Sequence, residues 1–189
     1  MHRLISKFAA LAIIVAAFAV PLVASAQGIG PNPVFKAVEE NNLTELRRQL
    51  LNGTSPNVRD QDGNPLIVLA AAKNRAYLIS VLLEFGANVN QTNEEKRETA
   101  TIVAADRGAH DTLELLIEGE ADLDAEDNQG ETALIKAVLK GHIRSVRALL
   151  DGGADMNHTD YTGRTALAHA EESRHRGIAN LLSARGATY

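Results

Sequence analysis

The chain has 189 residues, 45% of them apolar and 23% charged, a composition that excludes a disordered or collagen-like chain. With no cysteine, a disulfide framework, a cysteine nucleophile and a thiolate zinc site are all ruled out. Aromatics at 4%, no tryptophan and a formal charge of -5 argue against base-stacking platforms and against a generic grip on nucleic acid or anionic lipid.

The first element is a leader. Arg3 and Lys7 precede Phe8 to Val20, an unbroken run of 13 apolar residues ended by Pro21, and Ala24-Ser25-Ala26 follows. A basic start, a short apolar middle and small residues at an A-x-A site read as a secretory signal peptide, 1–26, cut between Ala26 and Gln27. The run is short for a membrane-spanning helix, which needs about 20 residues. Cleavage removes Arg3 and Lys7 and leaves 17 basic against 24 acidic residues, a charge of -7. The expected location is outside the cytoplasm, in the bacterial periplasm, although the same leader would serve a eukaryotic secretory route.

A short linker, 27–32, leads to a domain over 33–189 that repeats itself. Pro65, Thr99, Thr132 and Thr165 are 34, 33 and 33 residues apart, the extra residue falling in the polar turn Asn93 to Glu98. Copies run over about 33–59, 60–92, 93–126, 127–159 and 160–189, so period decides architecture before any local assignment. Each copy opens with a helix starter (Pro33, Pro65, Thr99, Thr132 or Thr165) and closes its first helix near Asn41, Asn74, Gly108, Gly141 or, as a departure, Arg174. Second helices are predicted over Leu43 to Leu51, Ala76 to Phe85, His110 to Glu118, Ile143 to Leu150 and Gly177 to Ala184, ending near Gly53, Gly86, Gly119, Gly153 and Gly186.

Alanine recurs in the first helix at 37, 70, 104, 137 and 170, where so small a side chain lets neighbouring helices approach. Leu82, Leu116, Leu149 and Leu182 stripe the second helix. Helices of eight to ten residues are not stable alone; stacking copy on copy buries the stripe.

The pattern D-x-x-G-x-T-[A/P]-L, A-A/V, G-H and L-L-x-x-G-A-D/N-x-N resembles the ankyrin repeat. Asp127, Gly130, Thr132, Leu134, Ala137, Gly141, His142, Leu149, Leu150, Gly153, Ala154, Asp155 and Asn157 match it in the fourth copy. The resemblance implies an all-α fold, a solenoid of about five stacked helix-turn-helix units with projecting β-turn fingers. Val68, Ile102, Ile135 and Ala168 stand where the family has histidine, so apolar packing is expected along that strip. Glu120 replaces a glycine.

No catalytic constellation is present in the sequence. His169 and His175 are six apart, whereas a helical metal pair wants four; they are expected to be solvent-exposed cap residues. Glu118 to Glu131 lacks the glycine and glutamate of a calcium loop. No phosphate loop and no G-x-S-x-G turn occur. The expectation is a non-enzymatic protein, without cofactor or metal.

What the resemblance implies instead is a concave groove lined by turn tips and first-helix ends. Carried over copy by copy, it comprises Gln61, Asp62, Asn64 and Lys73; Glu95, Lys96, Glu98 and Arg107; Asn128, Gln129, Glu131, Leu139 and Lys140; and Tyr161, Thr162 and Arg164. Its mixed signs suit a protein partner better than a polyanion, and Tyr161 is the expected anchor. The expected state is a monomer, with no nucleic acid and no membrane contact after leader removal. A narrower alternative is an inhibitor or immunity protein covering the active site of a toxic enzyme. A third reading, an enzyme using His169 and His175 with a metal, runs against their spacing.

Overall fold

The computed structural model describes residues 32–188; the leader and the Ala26–Gln27 cut lie outside them. Among the described residues ten helices run in five pairs: α1 (Pro33–Glu39) with α2 (Leu43–Leu51), α3 (Leu66–Ala72) with α4 (Ala76–Glu84), α5 (Ala100–Asp106) with α6 (His110–Glu118), α7 (Ala133–Leu139) with α8 (Ile143–Asp151), and α9 (Ala166–Glu172) with α10 (Arg176–Ala184). The second helices differ from their predicted limits by at most one residue, within the fraying of helix ends.

Caps explain where each helix begins. The Thr99, Thr132 and Thr165 hydroxyls accept from the amides of Ile102, Ile135 and Ala168 at 3.2, 3.4 and 3.3 Å. Asn32 and Asn42 do the same for α1 and α2. Pro65 occupies the cap position of α3 without a side-chain bond.

Left-handed residues explain where they end. Asn41, Asn74, Gly108, Gly141 and Arg174 all have φ between 50° and 75°, so Arg174 adopts the conformation its copy requires despite its β-carbon. In the third copy the left-handed residue after the second helix is Glu120, φ 58°, whereas Gly119 has φ -78°. The glycine that closes the other copies is thus displaced by one position.

Odd-numbered helices stack in one layer, α1 on α3 on α5 on α7 on α9, and even-numbered helices in a second. Ala70, Ala104, Ala137 and Ala170 are fully buried at the contacts of the first layer, and Ala37 nearly so. Leu82, Leu116, Leu149 and Leu182 seal the second. Val68, Ile102 and Ile135, on the strip where the resemblance would place histidine, are buried apolar contacts.

Polar contacts also run from copy to copy. Side chains of Asn57, Asn90, Asp124 and Asn157 accept from the amides of Asn88, Asp122, Asp155 and Thr188 at 2.7–2.9 Å. The His142 and His175 rings reach back one copy and donate to the carbonyls of Asp106 (3.1 Å) and Val138 (2.8 Å). Each ring lies over a glycine of the preceding copy, Gly108 and Gly141. Among the described residues no helix is long and apolar enough to cross a membrane.

Candidate functional site

The fingers between copies are held by the first residue of each turn. Asp60, Asp127 and Asp160 use one carboxylate oxygen to accept amides two and four residues on. Asn93 does the same with Lys96 and Glu98 across the longer third turn, where Arg97 at φ 60° takes the place of a glycine. Adjacent fingers are tied by Asn128 N–H to the Lys96 carbonyl (2.9 Å) and Tyr161 N–H to the Gln129 carbonyl (3.1 Å).

Of the residues expected to face a partner, Gln61, Asp62, Lys73, Glu95, Lys96, Arg107, Asn128, Gln129, Lys140, Tyr161 and Thr162 are exposed. Asn64, Glu98, Glu131 and Arg164 are half-buried and engaged internally. Asn64 bonds to Asp60, Glu98 accepts from Asn93, and Arg164 grips Glu172 at 2.8 Å. Leu139 packs partly into the core.

Tyr161 is 65% exposed and nevertheless fixed. Its ring covers Gly130, at φ 75°, where a β-carbon would collide with it. Its hydroxyl donates to Glu126 Oε2 at 3.1 Å, and His158 approaches the other oxygen of Glu126 at 3.3 Å. Glu126 was not among the residues expected from the sequence, and neither was Tyr77, 79% exposed on α4; an aromatic in a column otherwise filled by Thr44, Asp111, Arg144 and Gly177 was the available signal.

The structure corrects the reading of His169 and His175 as exposed cap residues. His169 is 3% exposed and donates to Asp160 Oδ2 at 2.7 Å, while half-buried His175 turns to Val138. One copy earlier, Lys136 occupies the position equivalent to His169 and pairs with Asp127 at 2.8 Å and with Glu131. Burial works against the Lys136 charge, but the bonds to Asp127 and Glu131 outweigh it and hold its pKa above the usual lysine value. Burial likewise opposes ionisation of Asp160; hydrogen bonds from Thr162, the Arg164 amide and His169 prevail and hold its carboxyl well below the usual range.

Glu131, Asp160 and His169 bring ligand-type atoms within 4.8 Å of one another. The Lys136 ammonium is already on Glu131, and the imidazole is already on Asp160. The trio therefore reads as part of a hydrogen-bonded charge cluster joining the fourth and fifth copies.

The family model described as Ankyrin repeats (3 copies) matches residues 34–127 and 103–189. The chain is similar to an ankyrin repeat domain-containing protein, SAT10, of Stachybotrys chartarum, at 34% identity over 86 residues. That match covers 41% of this chain and 4% of the fungal protein, so this chain spans a small part of its relative's length. Ankyrin repeats are generally protein–protein interaction modules. With the family pattern running through both layers and all the fingers described above, the chain belongs to the ankyrin repeat family.

Proposed function

We propose that this protein is an exported, non-enzymatic binding array that captures another protein on the face made by its fingers and odd-numbered helices, with Tyr161 as anchor. The observation that carries the reading is the setting of Tyr161. A large aromatic surface stands in water while Gly130, Glu126 and the Gln129 carbonyl hold it in one position. An anchor ordered before contact loses little further freedom on binding, and tyrosine is enriched among residues that dominate interface energy. Export rests on the leader sequence, and the periplasm is the compartment it would reach in a bacterium.

The test is affinity capture from the extracytoplasmic fraction, comparing wild type, Tyr161→Ala and Tyr161→Phe at matched thermal stability. Loss of a stoichiometric protein with Tyr161→Ala, retained with Tyr161→Phe, is expected. Equal capture by all three would overturn the role of Tyr161. N-terminal sequencing of the exported protein is expected to begin at Gln27, and an uncut chain recovered with the membrane would overturn the leader assignment.

A further inference from the structure

The helix-end register of the same face carries a distinct charge pattern. Lys73, Arg107 and Lys140 are the residues that follow α3, α5 and α7, one per copy, and all three are exposed. The helices they terminate pack directly on one another in that order. Among the described residues, Lys73 and Arg107 have no acidic partner, and Lys140 has a loose one, Asp106 at 3.5 Å. The register ends in Glu40 before the first cation and Ser173 after the last. On the finger side the exposed charges of the second and third copies are mixed in sign and include Asp62, Glu94 and Glu95 beside Lys96 and Arg97. Arg164 of the fifth finger reaches Glu172 at the end of α9, so fingers and helix ends border one surface.

We propose that Lys73, Arg107 and Lys140 recognise an extended acidic segment of the protein partner, with carboxylates at every third residue. This rests on the reading that the face binds a protein, and adds the chemistry of what it binds. Packed helices lie about 8–10 Å apart, and an extended chain in the polyproline II form, with three residues per turn and about 3.1 Å per residue, sets every third side chain on one face about 9 Å apart. Side chains three residues apart therefore keep step with the three cations. A nucleic acid fits less well, because its uniform charge would meet Asp62, Glu94 and Glu95 as well as the cations.

The alternative role for these cations is to complement the carbonyl ends of their own helices. Fluorescence anisotropy on the folded protein separates the two. The probes are a labelled ten-residue Gly/Ser peptide with Asp at every third position, the same peptide with Asn for Asp, one with two Asp seven apart, and a single-stranded oligo-dT. Each of Lys73→Gln, Arg107→Gln and Lys140→Gln is expected to weaken the Asp-every-third peptide about two- to fivefold, as exposed charge contacts do. The triple variant is expected to weaken it at least about tenfold, and added salt should weaken wild-type binding.

Equal binding of the Asn peptide, preference for the seven-spaced peptide or for oligo-dT, no binding of any peptide, or a triple variant that binds normally and only melts lower would each overturn the proposal. If the triple variant still captures the partner that Tyr161→Ala loses, the acidic-segment inference fails while the binding array stands. If neither variant changes capture, both fail.

Discussion

The His169 Nε2–H donates to Asp160 Oδ2 across 2.7 Å, with both side chains almost wholly removed from water. The other Asp160 oxygen holds the Thr162 and Arg164 amides of the fifth finger. One carboxylate thus ties the last finger to the last copy's first helix. Because its folded pKa lies below the unfolded value of about 3.9, the folded state binds fewer protons in this region. The stabilisation is present above that value and lost as pH falls through and below it. Asp160→Asn is expected to cost about 1–3 kcal/mol at pH 7. It should also flatten the dependence of the urea midpoint on pH between 5 and 2. A variant midpoint that falls as steeply with acid as wild type would contradict this assignment.

Lys136 presents the same geometry with an ammonium in place of the imidazole. Lys136→Met keeps most of the side-chain volume but leaves the Asp127 and Glu131 carboxylates without their shared ammonium. Breaking a buried pair from one side costs about 3–5 kcal/mol. Replacing Asp127 as well, in Asp127→Asn with Lys136→Met, should return part of that loss. Strictly additive losses in denaturant unfolding would show that the pair is not coupled.

Glu120 sits in left-handed backbone at φ 58°, a conformation that costs a residue with a β-carbon about 1 kcal/mol or more. Glu120→Gly is expected to raise stability by about 0.5–1 kcal/mol with no change in binding. A lower melting temperature would mean that the Glu120 side chain contributes more than its backbone costs.

Ala137 and Tyr161 separate scaffold from surface. Ala137 is fully buried in the middle of the first layer, so Ala137→Glu places a charge in a helix contact and is expected to cost more than about 4 kcal/mol. Tyr161→Ala should change stability by less than about 1 kcal/mol, since the exposed ring has one side-chain hydrogen bond to lose. Thermal melts in the reverse order would show that scaffold and surface have been exchanged.

Period and small-residue columns were legible in the sequence because stacking imposes the same demand on every copy. Ala70, Ala104 and Ala137 must all admit a neighbouring helix, so they repeat. The threonine caps and left-handed closures were legible for the same reason, down to Arg174. The burial of His169 was not read, although Leu69, Val103 and Lys136 occupy its column. Its partner lies nine residues back in the finger, and no spacing rule within one helix points there. Among the face residues, Asn64, Glu98, Glu131 and Arg164 fill one column, the residue before each helix opener, and all four are half-buried. Their partners, Asp60, Asn93, Lys136 and Glu172, lie at differing distances along the chain, so the column was readable but the contacts were not.

The rings of His142 and His175, seated over Gly108 and Gly141, make the five copies non-interchangeable in order. Excising the fourth copy would set His175 over Gly108, a vacancy shaped for it. Excising the third would drive His142 against Asn74, a left-handed residue that carries a side chain where Gly108 and Gly141 have none. Ancestral shortening or lengthening of such an array is therefore keyed, permitted at one junction and obstructed at the next.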